Sequence, residues 1–354
     1  KQSLKLAQIG EKIRNLQEEK FPFIGSSPKI EQIKQTLKAL AIKPDITVLL
    51  TGETGVGKEV AARYLHKHGP RADKPFVPVH LSAIQESLIE SFMFGHKKGA
   101  FTGAQYDRLG FFRKAEGGIL FLDDIGHINE DLQIKLLRFL ESKLIQVIGE
   151  DQERELNIQI VAATNLDLKS AVDSGKFRSD LYYRLRNFEV NIRPLRERKG
   201  DIKEILSFYL TRDGYESIDQ VIEDNILELL LKYPWPGNVR EMKNVVESMI
   251  LKAKILHKKK VDRSCIPSEI WESDNKNIDT VSPESSRSIK EKTADTELSM
   301  INMALRKTFG HKQRAAELVD LNADQLRYRV LKYWRDNREI VKKHSAIIKN
   351  YKLE

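Results

Sequence analysis

The chain has 354 residues, 40% of them apolar, a net charge of +9 and a single cysteine, Cys265. That length and apolar share suit about two or three globular domains with packed cores. One cysteine excludes an internal disulfide and a cysteine-based zinc site and fits a reducing cytoplasm; with no run of about 18 apolar residues, no membrane span is expected. The charge is uneven: residues 296–354 hold 13 Lys and Arg against 7 Asp and Glu, so a polyanion partner, nucleic acid first of all, is expected there. No secretory signal is recognisable, and because numbering begins at Lys1 rather than methionine, a fragment missing its upstream part is expected.

Leu6, Ile9, Ile13 and Leu16 recur at three- and four-residue steps, which predicts a helix within 1–20, too short in its repeat to be a coiled coil. Over 21–193, apolar runs at 46–50, 76–79, 119–122 and 158–162 read as buried strands and alternate with helical patterns such as 130–141. That alternation predicts an α/β domain with a mostly parallel sheet covered on both faces. Beyond Pro194 no strand pattern returns. Helices are expected over 201–209, 223–232 and 238–254, making a small all-helical subdomain over 194–272. Residues 273–295 are mostly polar and cannot bury enough surface to offset ordering entropy, so they read as a linker. The remainder, 296–354, is expected to be a small all-α domain.

Gly52, Glu53, Thr54, Gly55, Val56, Gly57 and Lys58 follow a strand and open a helix. In that context glycines let successive backbone N–H groups wrap a phosphate at a helix N-terminus, with Lys58 reaching the β- and γ-phosphates of ATP. Glu59 stands where the general pattern has Ser or Thr. The run 119–124 is an apolar strand ending in two carboxylates; Asp123 suits Mg²⁺, a hard cation that takes oxygen ligands, and Asp124 suits the polarisation of an attacking water. Thr164 and Asn165 end another strand with two polar groups. Trp235, Pro236, Gly237 and Asn238 predict a turn with Asn238 capping the next helix.

Residues 310–331 read as two short helices around a turn. Ala315 and Ala316 permit close approach, and Leu318, Leu321, Leu326 and Val330 are expected to form a small core. Gln325, Arg327, Tyr328 and Arg329 are expected to point outward.

Gly99, Ala100, Phe101, Thr102, Gly103 and Ala104 spell GAFTGA, a stretch too glycine-rich for a core element and suited to a loop tip. With its flanks, His96-Lys97-Lys98 before it and the run to Asp123 after it, it resembles the sigma-54-dependent transcriptional activators, bacterial enhancer-binding proteins built on an AAA+ P-loop ATPase. The resemblance spans roughly 24–331. It implies an AAA+ α/β subdomain, a helical lid and a Fis-type helix-turn-helix domain, with an N-terminal helix linking an upstream regulatory domain. It implies that 99–104 contact the sigma factor, that the phosphate loop including Glu59 binds nucleotide, and that Asn165 serves as sensor I and Arg240 as sensor II. Arg178 and Arg184 match the arginines that act on a neighbouring subunit's nucleotide. The second helix of the C-terminal module, carrying Gln325, Arg327, Tyr328 and Arg329, would enter the DNA major groove.

Five positions depart from the family pattern, two of them being Ala323 and Asp324, which stand where basic or neutral polar residues are common and so weaken phosphate attraction. Asp124 stands for a glutamate. His80 stands for the asparagine that holds that glutamate, and is able to donate a hydrogen bond to Asp124 in its place. Asp320 stands for the turn glycine of the C-terminal module. The implied function is an ATP-hydrolysing homo-oligomer, dimer to hexamer or heptamer, that binds double-stranded enhancer DNA and remodels sigma-54 RNA polymerase holoenzyme in the cytoplasm. The alternatives are a non-hydrolysing, nucleotide-binding regulator on the same scaffold, and an AAA+ unfoldase or helicase. The intact GAFTGA run favours the first.

Overall fold

The computed structural model describes residues 22–276 and 289–353, apart from 309, 320, 337, 343 and 352. The helix expected within 1–20 and the turn residue Asp320 therefore lie outside the described residues. The chain divides into two compact units at 278/279, and each is taken by itself.

In the first unit five strands form one sheet: β1 (Val48–Thr51), β2 (Phe76–His80), β3 (Ile119–Asp123), β4 (Gln159–Thr164) and β5 (Phe188–Asn191). Their spatial order is β2-β3-β4-β1-β5, and every pair is parallel. Both faces are covered, which is why the inner strands are apolar between their ends. Leu49, Leu120, Leu122, Ile160 and Ala162 pack on one face with Leu132, Leu136 and Phe139 of helix Glu130–Ser142. Val48, Leu50, Ile119, Phe121, Val161 and Ala163 pack on the other with helices Pro28–Ala41 and Lys58–Lys67. β5 escaped the sequence reading because it is an edge strand, with Val190 buried and Phe188, Glu189 and Asn191 exposed. Two short antiparallel hairpins were also not foreseen: Gly95–His96 with Arg108–Leu109, and Leu144–Gln146 with Glu153–Glu155. Strands of two or three residues are too short to show an alternation.

The helical part of this unit carries Gly200–Arg212, Asp224–Lys232, Asn238–Ile255 and Ser268–Lys276. They gather around Trp235, which is fully buried and donates its indole N–H to Leu230 O at 2.9 Å. Helix reaches into both ends of the stretch read as a linker, as Ser268–Lys276 and Ile289–Lys307, while 277–288 lie outside the described residues.

The second unit contains Ile289–Lys307, Lys312–Glu317, Ala323–Asp336, Arg338–Lys342 and Ser345–Tyr351. Its core joins Leu298, Ile301, Leu305, Ala315, Ala316, Leu326 and Val330 to Val341 and Ile347 of the last two helices. Leu318 is not part of it. It is 59% exposed, because the inward positions of that turn are 315, 316 and 319.

Phe121 is fully buried in the middle of β3 and stacks on Phe76. Phe121→Ala is expected to destabilise the fold by about 3–5 kcal/mol. Circular dichroism in urea would show a lowered midpoint; an unchanged midpoint would contradict this packing.

Candidate functional site

The ends of β1, β3 and β4 bring the sequence-predicted nucleotide residues to one edge of the sheet, where open α/β sheets take their ligands. Between β1 and helix Lys58–Lys67 the chain turns through Gly52 (φ +146°) and Gly55 (φ +80°). A Cβ at Gly52 would stand 2.5 Å from Ile192 O, and one at Gly55 2.3 Å from Gly237 O, so neither position admits a side chain. Lys58 Nζ donates to Gly52 O at 2.7 Å and Glu53 O at 3.1 Å. Burial lowers the pKa of Lys58, against the opposing pull of Asp123 and Asp124. Glu59 accepts both Nε and Nη2 of Arg63, one helical turn on, at 2.9 and 2.7 Å.

A cavity of about 470 Å³ opens here, lined by Thr54, Lys58, Asp123, Asp124, Asn165 and Arg240 among others, with His80 at its wall. Asn165 Nδ2 donates to Thr54 Oγ1 at 3.3 Å. A smaller hollow of about 170 Å³, lined by Phe23, Ile24, Val60, Ile205 and Tyr209 among others, shares Gly57, Val60, Tyr209, Val239 and Lys243 with it. The sequence reading missed this apolar hollow; its signal is the apolar run at 21–24 just ahead of the first helix.

Two expectations are corrected. His80 does not hold Asp124. The parallel register sets His80 beside Asp123, and His80 Nδ1 lies 3.2 Å from Asp123 Oδ2. Asp124, past the strand end at φ +60°, instead accepts from Ser82 Oγ at 2.6 Å. Nor does Asn238 cap the following helix. The turn does form, Asn238 N–H donating to Trp235 O at 2.8 Å, but the capping position falls to Gly237, whose N–H donates to Glu241 Oε2 at 2.7 Å. Asn238 is fully buried with φ +53°; its Oδ1 accepts from Leu195 N–H at 2.8 Å, and its Nδ2 donates to Glu53 Oε2 and Thr54 O at 3.1 Å each.

Further contacts tie the helical part to the phosphate loop. Arg196 Nη1 donates to Glu53 Oε2 at 2.7 Å, and Arg198 Nη2 to Val56 O at 2.9 Å. Arg198 and Asp201 are buried 4.0 Å apart, and Asp201 accepts from Ser27 N–H at 2.8 Å and Ser27 Oγ at 2.7 Å. Burial lowers the pKa of Arg198, with Asp201 opposing. Arg240 enters by its backbone as well, its N–H donating to Gly55 O at 3.3 Å.

Arg178 and Arg184 are not among the residues lining the cavity. Arg178 pairs with Asp180 at 3.1 and 2.7 Å, and Arg184 donates to Leu140 O at 3.3 and 3.1 Å. The 99–104 loop leaves the Gly95–His96 hairpin and is closed by Gly99 N–H to Ala104 O at 2.8 Å and Ala104 N–H to Phe101 O at 3.0 Å. Phe101, 39% exposed, meets the buried His96 ring edge-on at 5.0 Å, and His96 Nδ1 is 2.7 Å from Ser91 Oγ. In the second unit Asn322 and Gln325 bond reciprocally at the start of Ala323–Asp336, Gln325 N–H to Asn322 Oδ1 at 2.8 Å and Asn322 N–H to Gln325 Oε1 at 3.1 Å. Arg327, Tyr328 and Arg329 are exposed as expected, and Arg329 pairs with Glu297.

A glycine-wrapped cavity at the end of a parallel sheet, closed by a helical lid, defines a P-loop nucleotide-binding ATPase fold. Residues 23–191 match the sigma-54 interaction domain family, 196–283 the AAA+ ATPase lid domain, and 293–333 the Fis family of bacterial regulatory proteins. The DNA-binding transcriptional regulator NtrC of Rhizobium meliloti is 35% identical over 344 residues, which cover 90% of this chain and 71% of that protein. The Nif-specific regulatory protein of Azotobacter vinelandii is 38% identical over 308 residues, 87% of this chain and 58% of that one. NtrX from Brucella abortus, solved in complex with ADP, superposes with a TM-score of 0.70 at 25% identity, over 93% of this chain and 73% of that one. The chain belongs to the sigma-54-dependent transcriptional activators, and it spans only part of the length of each of these relatives.

Glu53 provides a titration test. The hydrogen bond from Arg196, and then that from Asn238, lowers its pKa from 4.5 to about 2. A depressed folded value means that its contribution to stability is present above pH 4.5 and is lost as pH falls toward 2. Glu53→Gln should therefore be less stable than the parent at pH 7, and the two urea midpoints should converge near pH 2. Parallel curves across that window would mean that the Arg196 and Asn238 bonds to Glu53 do not stabilise the fold.

Proposed function

We propose that this chain is an ATP-hydrolysing transcriptional activator that assembles into a ring on enhancer DNA and remodels sigma-54 RNA polymerase holoenzyme. The observation that carries the reading is the convergence of the phosphate loop, Asp123, Asp124, Asn165 and Arg240 on one cavity, in a chain that also has an intact GAFTGA loop. The site suits Mg²⁺ with ATP. Among the described residues no three or more carboxylate, His or Cys groups are arranged to hold a metal ion by themselves, and Mg²⁺ is held typically by one or two carboxylates together with phosphate and water. Asp123 is the carboxylate for it. The cation neutralises phosphate charge once bound.

Position supports the following roles. Backbone N–H groups of 52–58 and the Lys58 ammonium take the phosphates, Arg240 reaches them from the lid, and the hollow at Phe23 and Ile24 takes the base. Asp124 orients and polarises the attacking water, with Asn165 as sensor. Arg178 and Arg184, away from their own subunit's cavity, serve a neighbour's. Asp124 is one methylene shorter than glutamate, about 1.5 Å of reach; a misplacement near 1 Å can cost about a hundredfold in rate, so turnover is slow while binding stays near normal. Residues 99–104 meet the sigma factor, and Gln325, Arg327, Tyr328 and Arg329 meet DNA, with Gln325 also holding its helix start.

Specific ATPase activity should rise steeply with protein concentration. Lys58→Ala alone should lose ATP binding and Arg184→Ala alone turnover, and a mixture of the two should regain activity because each supplies what the other lacks. Flat specific activity without complementation defeats the ring; intact ATP binding with no turnover at any concentration leaves the non-hydrolysing regulator.

Phe101→Ala should keep ATPase activity and lose sigma-54 binding in the presence of a transition-state analogue. Normal open-complex formation by this variant would remove Phe101 from the contact.

A further inference from the structure

The resemblance implies that one side chain following β2 holds the hydrolytic carboxylate. At the matching position, 80, the imidazole is engaged elsewhere: His80 and Asp123 are register partners, with Nδ1 3.2 Å from Oδ2. The hydrogen bond to Asp124 comes from two residues further on. Ser82 lies in the single turn Leu81–Ala83 directly after β2, a turn anchored by the buried Leu81, and its Oγ donates to Asp124 Oδ2 at 2.6 Å.

We propose that Ser82 is the residue that positions Asp124 for water activation, in place of the family's asparagine. The inference rests on the ATPase reading above. Asp124 carries its carboxylate on one methylene, from a backbone at φ +60° and ψ +39°, so it cannot reach as far as glutamate, and the group that holds it must lie close to the strand ends. A hydroxyl in the turn after β2 meets that requirement. An O–H donor to an ionised carboxylate at 2.5–2.7 Å is among the stronger hydrogen bonds. It fixes Oδ2 and leaves Oδ1 to accept from water. Asp123 is held separately, its Oδ1 accepting from Asp124 N–H at 3.0 Å and its Oδ2 beside His80. Ser82 is not among the residues lining the nucleotide cavity, so it acts on turnover through Asp124 and not on nucleotide affinity.

The test uses the full chain at a concentration that saturates assembly, with steady-state Mg-ATP hydrolysis and equilibrium titration with a fluorescent ATP analogue. Ser82→Ala should lower kcat by about tenfold or more, the scale of a misplaced general base, with KM for ATP and analogue affinity within about twofold of the parent. Ser82→Thr, which keeps the hydroxyl, should restore most of kcat. An Ser82→Ala kcat equal to or above the parent's, a matching rise in KM, or a loss that Ser82→Thr does not restore overturns the assignment while leaving the ATPase reading intact. A parent that binds the analogue and hydrolyses no ATP overturns both.

Discussion

The grip of the helical subdomain on the phosphate loop is the constraint on which the site depends. Asn238, fully buried at a left-handed backbone position, bonds at once to Leu195 N–H, to Thr54 O and to Glu53, while Arg198 reaches Val56 O from the buried pair it forms with Asp201. Buried polar groups of this kind are costly to leave unmatched, so the lid and the loop hold one another in a single arrangement. Asp201 also takes both the N–H and the hydroxyl of Ser27, which brings the segment ahead of the first helix into the same network. The apolar hollow at Phe23, Ile24 and Tyr209 exists because these three pieces of chain are fastened together.

The parallel register supplies the second constraint. Pairing His80 with Asp123 and Thr51 with Thr164 lines up the strand ends, so the chemistry-bearing residues emerge at one level. A change of one residue decides partners here. His80 in register faces Asp123, whereas Asp124, beyond the strand and turned by a positive φ, meets Ser82. Two neighbouring carboxylates thus have separate holders and separate environments.

The outlying surfaces are built by local closure. GAFTGA is held at its base by backbone hydrogen bonds and by Phe101 against His96, leaving Thr102 and part of Phe101 exposed. In the second unit the reciprocal Asn322–Gln325 bonds fix the start of the helix that carries Arg327, Tyr328 and Arg329, and the last two helices complete its core with Val341 and Ile347.

The family, the nucleotide loop and four of the five sheet strands were legible in the sequence, because continuous apolar runs and a glycine pattern with one backbone solution leave few alternatives. Phe188–Asn191 was not legible, since an edge strand with one buried residue has no apolar run, and Leu318 was misread because its side of the helix is decided by what packs there. Asn238 has the composition of a cap, and only the approach of Glu53 and Leu195 from distant segments makes it a bridge. Likewise no spacing in the chain indicates that Ser82, and not His80, meets Asp124. Sequence determines what each residue can offer locally; which partner accepts it depends on strand register and on segments more than forty residues away, and these exist only in the folded chain.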